Sequence, residues 1–251
     1  MTRIQPLDVL APAFFPDPRS ALSEPNGLLA FGGDLSPQRL VAAYTRGIFP
    51  WYSEGDPLLW WSPDPRCVFA TDAVHLSRSL AKFLRKSSWQ WSMDRAFEDV
   101  VRACATPRED QQGTWITPDM ITAYTNLHLL GYAHSLEVWD GDSLVGGLYG
   151  VSIGRMFSAE SMFSRRTNAS KVALHALARI LRERGFPLID AQVPNPHLLR
   201  MGAHAMPRPR FLAKLARLTA ETAPHDWPRA RTPVRDGCWE NSDHGIPLRH
   251  S

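Results

Sequence analysis

The clearest periodic pattern in the chain lies over residues 75–86. Apolar side chains recur there at the spacing of one helix face, at Leu76, Leu80, Phe83 and Leu84. Cations repeat that spacing two residues later, at Arg78, Lys82, Arg85 and Lys86. Because such positions fall on opposite sides of a helix, the pattern predicts an amphipathic helix with one apolar and one basic face.

Three other segments carry helix start and stop signals. In residues 36–47, Ser36 is a good N-cap, Pro37 suits the first turn, and Gly47 ends the pattern. Similar signals predict two further helices, over residues 117–130 and 169–184, the second with Asn168 as its N-cap.

From residue 133 the pattern changes to that of strands. Residues 133–139 and 143–153 flank an Asp140-Gly141 turn and predict a β-hairpin. Two more strands are predicted over residues 156–163 and 188–193. Strands, a helix and a strand on a mostly antiparallel sheet indicate an α+β fold, and the order is similar to the GNAT-type acyltransferase core. Such an analogy does not by itself give a function.

Composition shifts divide the chain into three parts. The Pro- and Trp-rich run of residues 49–66 cannot be regular helix or central strand, so it indicates a boundary. Its tryptophans either cap a core, which composition favours, or form a rigid recognition wall. We predict a small N-terminal α/β domain over residues 1–66, a GNAT-like domain over 67–220 and a peripheral tail over 221–251, where apolar periodicity is lost.

Charge and cysteine content narrow the class of protein. A net charge of only +3 means that any polyanion must meet a local basic patch. No run is long enough to span a membrane, and the N-terminus lacks the apolar stretch of a signal peptide. The cysteines, Cys67, Cys104 and Cys238, fit neither a disulfide framework nor a zinc site. We therefore expect a cytoplasmic protein with no membrane partner.

Polar residues in two otherwise apolar strands are the best candidates for chemistry. Alternation places Asp190 and Gln192 on one face of their strand, and Glu160 has a similar setting. Charged groups are seldom buried unpaired, so Asp190 either accepts backbone N–H groups or an arginine, or has a chemical role. Two acids and an amide on neighbouring strands could hold an ammonium group.

Other polar segments leave alternatives open. The loop SRRTNAS (164–170) lacks the glycines with which GNAT enzymes cradle a pyrophosphate, which counts against an acyl-CoA donor. The basic face of residues 75–86 is either a solvated stripe or, beside Trp89 and Trp91, a grip on a phosphate backbone. The histidines show neither metal spacing nor a triad arrangement: His75, His128, His134, His175, His197 and His204.

Taken together, these segments resemble the leucyl/phenylalanyl-tRNA–protein transferase family. The resemblance rests on PNGLLAFGGDLSPQRLVAAYTRGIFPWY, LWWSPDPR, GTWIT, LGYAHSLEVWDGDSLVGGLYG, ESMFSRRTNASKVAL and LIDAQV. These strings follow the family's order between about residues 14 and 212. The family often has Cys where this chain has Ala191, which argues against a covalent thioester. The string PRPRF (207–211) departs from the family's usual Arg-Arg pairing, so Arg208 and Arg210 are left without a role.

The resemblance also implies which residues form the site. The family's catalytic pair falls on Asp190 and Gln192, supported by Glu160, without settling which of the pair takes the proton. Aromatics that contact the terminal adenosine of tRNA fall on Trp51 and Trp115. An apolar side-chain pocket would draw on Leu148, Met162, Leu174 and Leu177. With these comes the expectation that Arg78, Lys82, Arg85 and Lys86 bind the tRNA backbone.

The activity implied is transfer of Leu or Phe, less readily Met, from leucyl-tRNA or phenylalanyl-tRNA. The acceptors would be proteins with N-terminal Arg or Lys, thereby marked for N-degron degradation. The tRNA ester is already activated, so we expect no cofactor and no metal. No coiled coil or spare apolar face calls for a partner subunit, so we expect a monomer. An acyl-CoA-dependent N-acyltransferase and a non-catalytic aminoacyl-tRNA binding module are the alternatives.

Overall fold

A computed structural model describes residues 4–11, 13–106, 115–222 and 226–234. Its first sheet has the order β1-β2-β4-β3, with β1 and β2 parallel and the other neighbours antiparallel. The strands are β1 (Gln5–Leu7), β2 (Leu28–Gly32), β3 (Phe49–Pro50) and β4 (Leu59–Trp61). A 3-10 helix (Pro18–Ser20) precedes β2, and α1 (Pro37–Thr45) connects β2 to β3.

The second sheet has eight strands in the order β11-β5-β10-β9-β8-β7-β6-β12. They are β5 (Arg66–Ala70), β6 (Gln90–Met93), β7 (Ala133–Asp140), β8 (Ser143–Ile153), β9 (Met156–Ser164), β10 (Leu188–Gln192), β11 (His204–Met206) and β12 (Thr232–Pro233). Among the described strands of this sheet, β9 and β10 run parallel and all other neighbours are antiparallel. The fold is thus mixed α/β with mostly antiparallel sheets.

Helices cover both faces of the large sheet. They are α2 (Arg78–Lys86), α3 (Phe97–Ala105), α4 (Pro118–Leu129), α5 (Ala169–Glu183), α6 (Pro196–Arg200) and α7 (Arg208–Thr219). Alternation along the strands sorts the core, because Phe69 and Ile189 pack with α5 and α2, whereas Val68 and Leu188 pack with α7. A third core joins α1 and the small sheet to α3, α4 and β8.

Most predicted elements are present, with two corrections at helix starts and one in the Pro- and Trp-rich run. Leu59–Trp61 in that run forms β4, which pairs with strands on both sides, because none of its three residues is a proline. Helix α2 begins at Arg78 and not at residue 75, because the Ser77 hydroxyl caps it by accepting from the backbone N–H of Leu80. Asn168 precedes α5 in a left-handed conformation, with φ of 77°, and its side chain makes no capping hydrogen bond. Helix α1 has the predicted cap, since the Ser36 hydroxyl accepts from the N–H of Arg39.

The described part of the predicted tail packs along the large sheet. The backbone carbonyl of Pro228 accepts from Met93, β12 pairs with β6, and Trp227 is buried against the rings of His134 and Phe186. The remainder of the tail prediction, residues 223–225 and 235–251, lies outside the described residues. Across the ranges that the structure describes, no helix has the length and apolar character needed to cross a membrane.

Candidate active site

A cleft of about 710 Å³ lies where the small sheet meets the open end of β9 and β10. Its walls come from both parts of the chain: β3 and Trp51 on one side, and β9, α5 and the segment 191–200 on the other. Cys104 and Thr106 at the end of α3, together with Trp115, complete the lining. The cleft is therefore built from segments that are distant in sequence.

Two β-bulges create this opening. Glu160 is an extra residue on β9 opposite the Tyr149-Gly150 step of β8, and Ala191 is an extra residue on β10 opposite β5. The parallel pairing of β9 with β10 ends at Asp190 and Ser158. Because a bulge re-aims the side chains beside it, Glu160 and Gln192 both line the cleft.

Glu160 is the buried acid at the floor of the cleft. Its carboxylate accepts hydrogen bonds from the Tyr124 hydroxyl at 2.9 Å and from the Gln192 amide Nε2 at 2.8 Å. Burial raises its pKa to about 7, although these hydrogen bonds act in the opposite direction. A carboxyl group with this pKa exchanges a proton near neutral pH, which suits a general base.

Asp190 lies behind the cleft and is not among the described residues that line it. Its side chain is 1% exposed, and its two oxygens accept from Arg66 Nε at 2.7 Å and Nη2 at 2.6 Å. One of these oxygens, Oδ1, also accepts from the backbone N–H of Gln192 at 2.9 Å. Asp190 therefore contacts the cleft through Gln192.

Arg66 is held in place by more than its ion pair. Its guanidinium lies 4.8 Å from the ring centres of both Phe49 and Phe211, and its Nη1 donates to the Gly47 carbonyl at 3.1 Å. An acid, a carbonyl and two aromatic faces thus surround this buried cation. The pair joins β5 to β10 directly behind Gln192.

The apolar side chains predicted to form a pocket divide into two groups. Met162 and Leu174 line the cleft beside Phe69 and Ala159. Leu148 and Leu177 are fully buried in the core and are not among the described residues of the lining. The apolar part of the cleft is therefore formed by Met162 and Leu174, as suggested, with Phe69 and Ala159 in place of Leu148 and Leu177.

Both aromatics predicted to contact adenosine line the cleft. Trp51 is 42% exposed, and its ring packs against that of Trp61, with 5.6 Å between ring centres. The Trp61 indole N–H donates to the Trp51 carbonyl, which fixes the backbone under the exposed ring. Trp115 is half-buried in the same lining.

Several residues of the site carry no signal in the sequence. The hydroxyls of Tyr44 and Tyr124 are 2.6 Å apart and continue the hydrogen-bonded chain that ends at Glu160. Asn195, His197 and Arg200 line the cleft through α6 and the residues before it. Tyr44 lies in one of the strings that carry the resemblance, but nothing in the sequence links it to Glu160. Only the hydrogen bond to Glu160 distinguishes Tyr124 from an ordinary core tyrosine.

The four predicted tRNA-backbone residues lie together on the exposed face of α2, opposite the buried Leu80 and Leu84. The chain just before this helix contacts the segment that follows the cleft wall. The backbone N–H of His75 donates to the Met201 carbonyl, and Met201 follows Arg200 of the cleft lining. Arg208, in contrast, is a buried structural residue that donates to the Ser62 carbonyl at 2.6 Å.

The two arginines just before α5 already have partners. Arg166 pairs with Asp140, and Arg165 donates to the Leu144 carbonyl at 3.0 Å. A side chain at Gly146 would collide with Ala169, so Gly146 allows β8 to approach α5 closely. The arrangement serves packing of the helix against the sheet.

One group of described residues has the composition of a metal site. Potential ligand atoms of Asp94, His128 and His134 all lie within 4.8 Å of one another. However, His134 already bonds to Asp94 at 2.8 Å and to the Gly131 carbonyl at 3.1 Å, and His128 bonds to the Ala133 carbonyl at 2.8 Å. The cluster is a satisfied hydrogen-bond network that ties α4 to β7.

Fold and site together define a mixed α/β protein with a cleft built around one buried acid and its amide partner. The family model for leucyl/phenylalanyl-tRNA protein transferase matches residues 68–216, and the model for its N-terminal domain matches residues 33–64. The chain belongs to the leucyl/phenylalanyl-tRNA–protein transferase family.

Similar proteins agree with that placement. The leucyl/phenylalanyl-tRNA–protein transferase of Xanthomonas euvesicatoria pv. vesicatoria (strain 85-10) is 60% identical over 219 residues, covering 87% of this chain and 88% of that protein. The protein of the same name from Idiomarina loihiensis is 59% identical, covering 80% of this chain and 85% of the relative.

Two solved structures are similar to this chain at a low level. L-PGS from Bacillus licheniformis has a TM-score of 0.37 and 10% identity, and the match covers 62% of this chain and 50% of that chain. A GCN5-related N-acetyltransferase from Kribbella flavida has a TM-score of 0.36 and 10% identity, and the match covers 66% of this chain and 60% of that chain. Similarity at this level carries no inference about activity.

Proposed function

We propose that this chain transfers a leucyl or phenylalanyl group, less readily a methionyl group, from aminoacyl-tRNA to the N-terminal Arg or Lys of acceptor proteins. The observation that carries the proposal is the Glu160–Gln192 pair at the floor of a cleft with one apolar and one aromatic wall. Membership of the family supplies the class of reaction.

The donor's amino-acid side chain would occupy the apolar part of the cleft, against Met162 and Leu174. An unbranched or ring-bearing side chain suits such a space, whereas β-branched Ile and Val carry bulk next to the backbone. The terminal adenosine would stack on Trp51 and Trp115, which face the same cleft. The exposed cations of α2 would bind phosphates of the tRNA body.

The chemistry needs a neutral attacking amine and a place for its proton. An α-amino group has a pKa of about 7.7–8.0, so the carboxylate of Glu160, with a pKa of about 7, can accept that proton. The amine nitrogen forms a bond to the ester carbonyl carbon and the carbon–oxygen bond to the ribose breaks. The ribose oxygen leaves as a hydroxyl, with the proton that Glu160 took from the amine. Positioning of the two substrates supplies much of the acceleration.

Gln192 and Asp190 have separate roles in this scheme. An amide is too weak a base to take a proton, but the remaining N–H of Gln192 can hold the developing oxyanion. Asp190, which accepts from the Gln192 backbone, would keep that residue in its left-handed conformation, with φ of 60°. The hydrogen bond supports a route in which Asp190 acts through Gln192.

The proposed reaction also goes with a particular domain organisation and cellular location. We infer a small N-terminal domain over residues 1–66, a GNAT-like catalytic domain over 67–220 and a tail over 221–251, acting as a monomer in the cytoplasm. Modification of the acceptor would then mark it for N-degron degradation. The position of the cleft between Trp51 and Gln192 supports catalysis where the two domains meet.

The direct test mixes the purified protein with leucyl-tRNA and a peptide that begins with Arg. Mass spectrometry should find one leucine added at the peptide N-terminus, and none on a matched peptide whose α-amino group is acetylated. A coenzyme A titration runs in parallel. Binding of coenzyme A together with no transfer from leucyl-tRNA would replace the proposal with an acyl-CoA-dependent reaction.

A further inference from the structure

A second concave site lies between β11 and α7, on the face of the large sheet that packs against α7. It has a volume of about 200 Å³, and its apolar floor includes Leu188 and Met206. Four residues that carry or can carry positive charge line it, His204, Arg210, Lys214 and Arg217. We call this site the α7 groove.

The three cations of α7 share one side of the helix. Arg210, Lys214 and Arg217 stand at i, i+4 and i+7, so their side chains lie one above the other. Within the described ranges, none of the three forms an ion pair, and no carboxylate lines the groove. Positive charge gathered in a cleft with apolar walls attracts anions from solution.

The size of the groove limits the anion to a small group. Sites for whole drug-sized ligands occupy roughly 300–1,000 Å³, so this space suits a phosphate rather than a nucleoside. Arginine is well matched to phosphate, because its planar donors can bind two oxygens at once. The groove therefore suits a small oxyanion, such as the phosphate of a phosphodiester.

We propose that the α7 groove binds a backbone phosphate of the donor tRNA, a step that rests on the proposed function. Leu188 at one end of β10 lines the groove, and Gln192 at the other end lines the cleft. These ends are roughly 13 Å apart at the usual rise of a strand. A nucleic acid whose 3′ end occupies the cleft carries one phosphate per nucleotide, so it brings phosphates within reach of the groove.

A protein acceptor fits this groove less well. Acceptors share only their N-terminal residue, which enters the cleft, while their surfaces differ in charge. A fixed cationic groove is useful to an enzyme when every substrate presents the same anion there. The phosphate backbone is such a constant feature of every donor tRNA.

The test replaces all three cations by glutamine (R210Q, K214Q and R217Q) and measures binding of full-length tRNA against salt concentration. A matched control replaces three exposed arginines away from both cavities, Arg95, Arg182 and Arg229, by glutamine. The log–log salt slope should fall by about 0.7–0.9 for each phosphate that the variant no longer binds. The control should keep the wild-type slope apart from a small general effect.

A second measurement separates the groove from the cleft. Turnover with leucyl-adenosine, a donor without a tRNA body, should be the same in wild type and in the triple variant. An unchanged salt slope in the folded triple variant would overturn the proposal, as would a rise in KM for an acidic acceptor protein with tRNA binding intact. If wild type transferred no leucine from either donor, the proposed function would fail, yet the slope with uncharged tRNA would still test the groove.

Discussion

The central feature at the scale of single residues is that two acids of the site have different environments. Asp190 has its charge matched by Arg66, whereas Glu160 is buried among neutral donors. Burial without a cation is what raises the pKa of Glu160 to about 7. One acid is therefore suited to exchange a proton, and the other to hold structure.

Asp190→Asn should reduce turnover while leaving tRNA affinity unchanged. If Asp190 orients Gln192, the loss should be about 10²–10⁴-fold in kcat, as for other orienting groups. The substitution also leaves Arg66 without its counter-charge, and breaking a buried pair from one side costs about 3–5 kcal/mol. Both effects are measured by single-turnover kinetics and thermal melting of the same preparation.

A double variant separates these two effects. Arg66→Met with Asp190→Leu removes both charges, and buried ion pairs can often be replaced by apolar residues without loss of stability. It should melt closer to wild type than Asp190→Asn does, yet remain impaired in kcat with little change in KM for the donor. Wild-type turnover in this stable variant would assign Asp190 to structure alone.

The raised pKa of Glu160 predicts that turnover increases with pH around pH 7, as a rising limb of the pH profile. Below about pH 7 its carboxyl group is protonated and cannot accept a proton, so activity should climb through that region. In the folded protein the pKa of Glu160 is raised above its usual value of 4.5. The contribution of Glu160 to the free energy of unfolding is therefore full below pH 4.5 and is lost as the pH rises through about 7. Glu160→Gln should remove the limb and also flatten the pH dependence of melting.

Glu137 provides the matched control for this experiment. Burial also raises its pKa to about 7, but it accepts from Ser92 and Ser135 and is not among the described residues of the cleft. Glu137→Gln should flatten the pH dependence of melting and leave the kinetic limb in place. The acceptor's α-amino group gives its own limb at about pH 7.7–8.0 in every variant. A limb near pH 7 that survives in Glu160→Gln would exclude Glu160 as the base.

The sequence could indicate these acids but not their partners. Asp190 and Glu160 stand out because a charged residue in an apolar strand needs a partner. Arg66 is separated from Asp190 by 124 positions and follows a proline-rich loop, so no local pattern links them. The bulges at Glu160 and Ala191 also break the alternation on which the shared face of Asp190 and Gln192 was predicted.

At the scale of elements, α1 and α4 were predicted from their own caps, whereas α3 and α7, which have no side-chain cap, were missed. The hydroxyls of Ser36 and Thr117 accept from the first turns of α1 and α4. Helix α3 has no side-chain cap at Ala96. The N–H groups at its start instead lie 3.4–3.5 Å from the carboxylate of Glu137 on β7, an interaction that no local sequence signal reveals.

Trp51 tests whether the Pro- and Trp-rich segment is a recognition wall. Its ring is partly exposed, so Trp51→Ala should change melting little and weaken an adenosine-bearing aminoacyl mimic by about 1–3 kcal/mol. Trp51→Phe keeps an aromatic face and should retain part of that affinity. Trp60, fully buried on the neighbouring strand, is the control, because Trp60→Ala should cost about 3–5 kcal/mol of stability. A large fall in melting temperature for Trp51→Ala, with affinity unchanged, would make Trp51 a structural residue.

At the scale of the whole molecule, the site depends on how two sheets meet. The core that contains Leu40 and Trp60 also contains Tyr124 and Tyr149, so the small sheet and the large sheet share one apolar interior. That shared core places Trp51 across the cleft from Gln192. Hydrophobic patterning predicted α1 beside the small sheet, and β7 to β10 with α2, α4 and α5 in the rest of the chain. The strands of the small sheet, and the way in which the two sheets meet, depend on tertiary packing and lay beyond local signals.

Trp227 should serve the stability of this assembly and not its chemistry. Its ring is buried against His134 and Phe186 and lies 5.8 Å from the Arg184 guanidinium, fixing residues 226–234 along β6. Trp227→Ala should therefore lower the free energy of unfolding by about 3–5 kcal/mol. Below its melting temperature, the folded variant should keep wild-type kcat and donor affinity, because Trp227 is not among the residues described around the cleft. Trp51→Ala should show the opposite result, with donor affinity reduced and stability kept. Thermal melting and donor-binding assays on both variants therefore assign a role to each tryptophan. Loss of donor affinity in folded Trp227→Ala would instead couple this segment to the active cleft.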